Sequence, residues 1–134
     1  MSNTIRPIAA AVIRRPKDGK HLVTINDDDS RHAFRMLGGG INFGEKARKT
    51  VMRELKEEIG AVVKVGKRID TYEEILPIKG KPHHLIVFLF EVEFEDSSFY
   101  DMEKIPMIDP ELKGKFAEWI DISSAKDYGL IRME

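Results

Sequence analysis

The pattern of apolar and polar positions in the first third of the chain predicts strands. Ile5 to Arg14 is rich in Ile, Val and Ala and predicts a buried strand, and His21 to Ile25 predicts a second one. The turn residues Lys17 to Lys20 separate them, so we expect the two strands to form a hairpin. Ala33 to Leu37 predicts a short strand that leads into three consecutive glycines, Gly38 to Gly40.

The second half of the chain contains the most apolar segment. Ala61 to Leu76 predicts a strand pair or one long bent strand. Leu85 to Phe94 begins with a continuous apolar run and then alternates, which predicts a central strand with a half-exposed end. A long polar connection, Asp96 to Lys115, precedes a last strand at Phe116 to Ile120, and connections of this length are often functional. Ser123 is a candidate cap for a short final helix.

One segment has helical periodicity. Lys46 to Ile59 predicts a helix, and Gly60 follows it at a position that is typical of helix C-termini. At 100° per residue, the helix has an apolar side and an acidic side. The apolar side consists of Val51, Met52, Leu55 and Ile59. The acidic side consists of Glu54, Glu57 and Glu58. We therefore expect the helix to pack with one face and to present carboxylates on the other.

Composition and charge narrow the function classes. The 134 residues are 42% hydrophobic and 34% charged, which is ordinary for one soluble domain. A formal net charge of -1 gives no basic field for nucleic acid or an anionic membrane. The absence of cysteine excludes disulfides, thiolate catalysis and zinc-thiolate sites. Arg14 and Arg15 interrupt the N-terminal apolar run, which lacks a signal-peptide layout, so we expect a cytoplasmic protein.

The three glutamates of the acidic side predict a cation site. Close carboxylates repel one another unless a positive charge lies among them. Without cysteine or clear histidine ligands, Mg²⁺ or Mn²⁺ fits oxygen ligands better than zinc, and Mg²⁺ often shares its coordination sphere with substrate phosphates. The adjacent glycines allow backbone groups to approach a metal or a phosphate closely. Arg53 can pair with Glu57 one helical turn away and hold it in place.

An acidic helix face by itself is most often a solvated surface. In this chain the glutamates are accompanied by four further residues at fixed spacing, Gly39, Glu45, Arg53 and Gly60. A chance match to the whole pattern is far rarer than a chance match to the glutamates alone. The sequence therefore favours a functional role for the acidic face.

Residues 39–61 resemble the Nudix box, G-x5-E-x7-R-E-U-x-E-E-x-G-U, in which U is a bulky aliphatic residue. The matching residues are Gly39, Glu45, Arg53, Glu54, Leu55, Glu57, Glu58 and Gly60. Two positions differ, since Ala61 is smaller than the usual residue and Leu37 stands where many members have proline. The resemblance implies a MutT-like fold in a single domain over residues 1–134. That fold is an α/β/α sandwich with a mixed central sheet and the box helix packed on it.

The resemblance also implies roles for individual residues, with Mg²⁺ or Mn²⁺ as the cofactor. The implied metal ligands are Glu54, Glu57, Glu58 and the carbonyl group of Gly38. The implied catalytic residues are Glu57, Glu58 and Arg53. Arg53 would orient Glu57, and one glutamate, or water held by the glutamates, would serve in proton transfer. Glu45 would be an outer metal contact or would support the ligands from behind.

Further site residues are candidates with open alternatives. Arg35 can hold a phosphate through two hydrogen bonds, although a plain surface arginine is equally compatible with its position. Gly39 and Gly40 are candidates for close substrate contact. Glu111 and Glu118 are candidates for the additional base or ligand that many members carry before the last strand. For each of these two, a solvated surface carboxylate is the alternative.

The resemblance implies hydrolysis of a nucleoside diphosphate linked to another group, such as a nucleotide or a sugar. The alternative is a nucleotide-binding regulatory module without turnover, although such members often lose box glutamates and this chain has lost none. Isomerisation of prenyl diphosphates on this fold relies on a cysteine, which is absent here. The expected partner is a small nucleotide-type molecule. No membrane partner is expected, and among nucleic acids only an RNA 5′ end is a candidate. Family members also often form homodimers, but no interface is evident in the sequence.

Overall fold

The computed structural model describes residues 3–26, 33–78 and 80–121. Within these residues a seven-stranded mixed sheet carries one α-helix. The strands are β1 (Ile5–Val12), β2 (His21–Asn26), β3 (Ala33–Gly40), β4 (Val63–Ile78), β5 (Lys81–Phe94), β6 (Lys104–Pro106) and β7 (Phe116–Ile120). The helix is α1 (Ala47–Ile59). No helix in the described ranges is long and apolar enough to cross a membrane.

The order of the strands shows that the predicted hairpin between β1 and β2 is wrong. The sheet runs β4-β5-β1-β3-β2-β7-β6, so β3 lies between the two strands. β1 pairs in parallel with β5 and antiparallel with β3. Its residues Ala9–Val12 are all buried, so both faces and both edges of this strand need neighbours from distant parts of the chain. Only one isolated bridge, between Arg14 and His21, joins the ends of the predicted hairpin.

The helix lies where the sequence predicts, but it is rotated from the predicted orientation. Val51, Leu55 and Ile59 are buried against the sheet, as expected. Met52 is 39% exposed, so its assignment to the packed side is wrong. Thr50, on the opposite flank of the apolar stripe, is fully buried instead. The helix therefore turns its acidic flank, rather than Met52, toward β3.

The two ends of α1 are stabilised differently. Gly60 adopts a left-handed conformation with φ of 73°, and its N–H is bonded to the carbonyl groups of Leu55 and Lys56. This is the glycine C-terminus that the sequence predicts. At the other end, Lys46 provides no side-chain cap. The start of the helix is instead fixed by contacts of Glu45, which belong to the site described below.

The remaining elements confirm some predictions and correct another. β4 is one long strand with two irregularities in its pairing with β5, in agreement with the predicted bent strand. The connection from Asp96 to Lys115 is not unstructured, because it contains β6 and the short 3₁₀ turns Ser97–Asp101 and Pro110–Leu112. β6 has only three residues, too few for a periodic signal. The predicted helix after Ser123, and with it a second helical layer, lies outside the described residues.

Candidate active site

The glycines at the end of β3 allow two close approaches, one from each side. A Cβ atom on Gly39 would lie 2.4 Å from Oε1 of Glu54, which belongs to α1. A Cβ atom on Gly38 would lie 2.2 Å from the carbonyl oxygen of Ala9, which belongs to β1. Real Cβ atoms do not come this near to other atoms. The two glycines therefore permit the helix and the neighbouring strand to contact β3 at the same point.

Arg53 is the centre of the polar network on this side of the helix. Its Nε donates to Oε2 of Glu45 at 2.8 Å and its Nη2 donates to Oε1 of Glu45 at 2.9 Å. Nη1 donates to Oε1 of Glu54 and to Oε1 of Glu57, both at 3.0 Å. Nη2 also donates to the carbonyl oxygen of Gly40 at 3.1 Å. Arg53 therefore contacts Glu57 one helical turn away, and it binds Glu45 through two hydrogen bonds as well.

Glu45 is held as a charged group. Its carboxylate accepts from Arg53, from the hydroxyl group of Thr50 at 2.7 Å and from the backbone N–H of Asn42 at 3.3 Å. These donors lower the pKa of Glu45 to about 2, with the hydrogen bonds from Arg53 as the largest cause and that from Thr50 next. The same ion pairs raise the pKa of Arg53. Glu45 thus contacts Arg53 within the network and does not line the cavity described below.

Glu54 and Glu58 have the opposite electrostatic character. Burial raises the pKa of Glu58 to about 8, and the negative charges of Glu54 and Asp109 add to this effect. The N–H of Gly38 donates to Oε1 of Glu58 at 3.2 Å and opposes the shift without overcoming it. Burial also raises the pKa of Glu54, although Arg53 acts in the other direction. The charged forms of Glu54 and Glu58 are therefore both disfavoured in the metal-free protein.

The site's donor set fits a hard divalent cation. In the described part of the chain, no three acidic or histidine side chains surround a common point. The reason is that Arg53 holds Glu57 while Glu58 turns to Gly38. Mg²⁺ needs only one or two carboxylates besides water and phosphate oxygens. Burial is the main cause that raises the pKa values of Glu54 and Glu58. A cation between the two carboxylates would stabilise their charged forms, so the residues present fit such an ion.

A cavity of about 290 Å³ opens beside Glu58. Its polar lining includes Arg35, Gly38, Gly39, Glu58, Thr24 and Lys115. Its apolar lining includes Ile8, Ala10, Met36, Met107, Leu112 and Phe116. The structure therefore brings the predicted substrate residues Arg35 and Gly39 together with a predicted metal ligand. Gly40 does not line this cavity, because its carbonyl group faces Arg53.

The two carboxylates predicted from the late connection lie elsewhere. Glu111 is exposed, and its backbone N–H donates to the side chain of Asp109. Glu118 lies on β7 with its carboxylate 3.9 Å from Nζ of Lys104. Neither lines the cavity. Asp109 is the carboxylate of this connection that affects Glu58.

Sequence reasoning missed Asp109 and Lys115. The N–H of Ile108 donates to the carbonyl oxygen of Glu58 at 2.7 Å, which fixes this part of the connection to the C-terminal end of α1. The only local signal for Asp109 is its position before Pro110, where it caps a 3₁₀ turn. That signal identifies a turn and gives no information about the neighbouring helix.

The departures from the box have structural explanations. Leu37, which stands at the usual proline position, is 1% exposed and belongs to the core beneath α1. Ala61, the smaller residue at the end of the box, is fully buried in the same core. Both departures therefore concern packing, and neither side chain appears in the cavity lining.

Comparison with known proteins agrees with the box and with the fold. The family model of the NUDIX domain matches residues 5–130. The MutT NUDIX hydrolase of Burkholderia pseudomallei has a similar structure, with a TM-score of 0.64 at 18% identity, over 98% of this chain and 91% of that one. The mMutator MutT protein of Bacillus halodurans gives a TM-score of 0.62 at 21% identity, over 93% and 74% of the two chains. These likenesses confirm the predicted α/β class with a mixed sheet.

One curated relative has a named activity. The ADP-ribose pyrophosphatase of Methanocaldococcus jannaschii is 27% identical over 104 residues, which are 69% of this chain and 60% of that protein. The chain thus spans less than two thirds of the length of this relative. Because the family model covers most of the chain and the fold agrees with it, the chain belongs to the Nudix hydrolase family.

Proposed function

We propose that this chain is a pyrophosphohydrolase that uses Mg²⁺ or Mn²⁺ to cleave a nucleoside diphosphate linked to another group. One observation carries the proposal. Two desolvated carboxylates, Glu54 and Glu58, lie beside the Arg53 network, and Glu58 lines a cavity together with Arg35. A divalent cation relieves the repulsion between the carboxylates and also binds diphosphate oxygens.

Glu54, Glu57 and Glu58 are the residues that would hold the cation. Glu57 is 48% exposed, so it can turn toward a metal without breaking core contacts. When bound, the cation would polarise a phosphoryl oxygen and lower the pKa of a bound water. Glu58 must lose its proton first, because its pKa of about 8 in the metal-free chain keeps it largely protonated at neutral pH.

Arg53 and Arg35 would act as fixed positive groups. Arg53 holds Glu54 and Glu57 through Nη1, and Glu57 would turn from this contact toward a metal when one arrives. Arg35 lines the cavity on the β3 side and can bind a phosphate through two parallel hydrogen bonds. The apolar lining, with Met36 and Phe116, offers a surface for a ring and limits the entry of water.

The size of the cavity bears on the substrate. Its volume of about 290 Å³ is near the lower end of the range for small-molecule sites, which starts at roughly 300 Å³. That volume suits one half of a nucleoside diphosphate derivative, with the other half outside. The name of the archaeal relative makes ADP-ribose the first compound to test.

A hydrolysis screen with Mg²⁺ and with Mn²⁺ tests the proposal. The panel is ADP-ribose, nucleotide sugars, dinucleoside polyphosphates, nucleoside triphosphates including oxidised ones, and capped RNA. We expect release of a nucleoside monophosphate from at least one of them, and no release in the presence of a chelator. Measurable binding of a panel compound without any turnover would contradict the proposal and indicate a regulatory binding module instead.

A further inference from the structure

Thr50 is a fully buried polar residue on the flank of α1. Its hydroxyl oxygen lies 2.7 Å from Oε1 of Glu45 and 3.4 Å from the carbonyl oxygen of Lys46. A hydroxyl group has a single proton to donate. The carboxylate is the closer and the charged acceptor, so it receives that proton, and the contact with Lys46 is at best a weak second one.

The hydrogen bonds of Glu45 show what the hydroxyl group contributes. Oε2 accepts from Nε of Arg53, and Oε1 accepts from Nη2 of Arg53 and from the N–H of Asn42 as well as from Thr50. The Asn42 bond is longer, at 3.3 Å, and comes from an exposed turn. Thr50 provides the only donor to Glu45 that is itself fixed in the described core. It therefore restrains Oε1 of the carboxylate, in addition to the two hydrogen bonds from Arg53.

We propose that Thr50 is a positioning residue of the active site. Its hydroxyl group orients Glu45, Glu45 holds Arg53 through two hydrogen bonds, and Arg53 holds Glu54 and Glu57. The spacing of the box specifies the other members of this chain of contacts but leaves position 50 open. The effect on catalysis rests on the proposed function, whereas the effect on Arg53 concerns the chain alone.

A merely structural role for the hydroxyl group needs to be separated from this one. Lys46 supplies no side-chain cap for the helix. The alternative role of the bond between Thr50 and Glu45 is therefore to hold the first turn of the helix and nothing more. Such a role would change the stability of α1 as a whole. A positioning role changes the guanidinium group of Arg53 and leaves the helix backbone unaffected.

Two complementary variants test the proposal. Thr50→Val keeps the shape of the side chain and removes the donor, and Thr50→Ser keeps the donor and removes a methyl group. The first measurement is hydrogen exchange of the Arg53 Nε–H by ¹⁵N NMR in the ligand-free protein, with Arg53→Lys to assign the signal. We expect exchange about tenfold faster in Thr50→Val. The carboxylate of Glu45 loses the hydrogen bond from Thr50 and therefore holds Arg53 less firmly. Thr50→Ser should exchange at the wild-type rate.

The second measurement is hydrolysis at saturating Mn²⁺ on the best substrate of the screen. We expect kcat to fall roughly three- to tenfold in Thr50→Val and KM to stay unchanged. This fall is smaller than the one caused by removing a residue that contacts a metal ligand directly, because Thr50 acts through Glu45 and Arg53. Thr50→Ser should restore kcat.

Three results would overturn the proposal. They are wild-type Arg53 exchange in Thr50→Val, an unchanged kcat in Thr50→Val despite faster exchange, or an equal rise in exchange at all backbone amides of α1. If the wild-type protein hydrolyses nothing, the proposed function fails. The exchange measurement on the ligand-free chain then decides the positioning role of Thr50 alone.

Discussion

At the scale of single residues, the site is defined by carboxylates that the protein treats in opposite ways. Glu45 is paired with Arg53 and stays charged, whereas Glu58 is desolvated and stays protonated at neutral pH. The spacing of the box predicts which glutamates form the site, and this assignment stays a prediction. The spacing could not predict their charge states, because these depend on burial and on Asp109, which lies in a distant part of the chain.

Adjacent glycines of β3 should respond differently to the same substitution. In Gly39→Ala the new methyl group meets the carboxylate of Glu54, a side-chain end that can move, so we expect a stable protein with weak metal binding and low activity. In Gly38→Ala the methyl group meets the backbone of β1, which cannot move cheaply, so we expect a loss of about 1–3 kcal/mol or more in the free energy of unfolding.

Urea unfolding and Mn²⁺ titration of both glycine variants check this prediction. Gly114→Ala would not be a neutral control, since Gly114 has a positive φ of 87°. Wild-type protein and Glu103→Gln, at an exposed position, are better references. Wild-type Mn²⁺ affinity in Gly39→Ala would contradict the proposed role of Glu54 as a metal ligand.

At the scale of elements, the local sequence patterns predicted most helices and strands but not which strands pair with one another. The helix, its glycine end and the last strand follow from periodicity and turn residues within a few positions. The pairing of β1 with β3 and β5 depends on residues up to about 80 positions away, which a local pattern does not contain. The orientation of α1 also depends on residues outside the helix, because the glycines of β3 leave room for its acidic flank to approach the sheet.

The connection between β6 and β7 should affect the pKa of Glu58 through the charge of Asp109. Asp109 raises the pKa of Glu58, and the bond from Ile108 to the backbone of Glu58 holds the two elements together. Asp109→Asn removes the charge and keeps an oxygen for the turn. We therefore expect Glu58 to ionise at lower pH, so that Mn²⁺ affinity, which rises with pH as Glu58 loses its proton, reaches its plateau at lower pH.

The matched control for Asp109→Asn is Glu111→Gln, which neutralises an exposed carboxylate on the same 3₁₀ turn. Titrations of Mn²⁺ at several pH values, from about 6 to 9, compare the two variants with the wild-type protein around the Glu58 pKa of about 8. An equal shift in both variants would mean that the general charge of the connection, and not the position of Asp109, affects Glu58.

At the scale of the whole molecule, ionisation of the buried Glu58 reduces the stability of the metal-free protein as pH rises. The folded-state pKa of Glu58 is about 8 against an ordinary value of 4.5, so its contribution to stability is complete below pH 4.5 and is lost as pH rises through 8. We expect the Tm of the metal-free protein to fall between pH 6.5 and 8.5, and added Mn²⁺ to restore it. Glu58→Gln, which cannot ionise, should have a flatter Tm profile and a smaller response to Mn²⁺.

Glu45 has the opposite sign and a separate pH window. Its pKa is lowered to about 2, so its contribution is present above pH 4.5 and is lost as pH falls toward 2. The two glutamates therefore do not compensate each other near neutral pH. A Tm of the metal-free protein that rises from pH 6.5 to 8.5 would contradict the assigned state of Glu58.

The rate of Mn²⁺-dependent hydrolysis by Glu57→Gln and Glu58→Gln, on the best substrate of the screen, tests the central claim most directly. Both substitutions keep size and remove a negative oxygen ligand, so we expect losses of at least about 100-fold while circular dichroism shows an intact fold. Glu103→Gln, at an exposed position, should keep the wild-type rate. Wild-type rates in both box variants would contradict the proposal that these carboxylates hold the metal and carry the reaction.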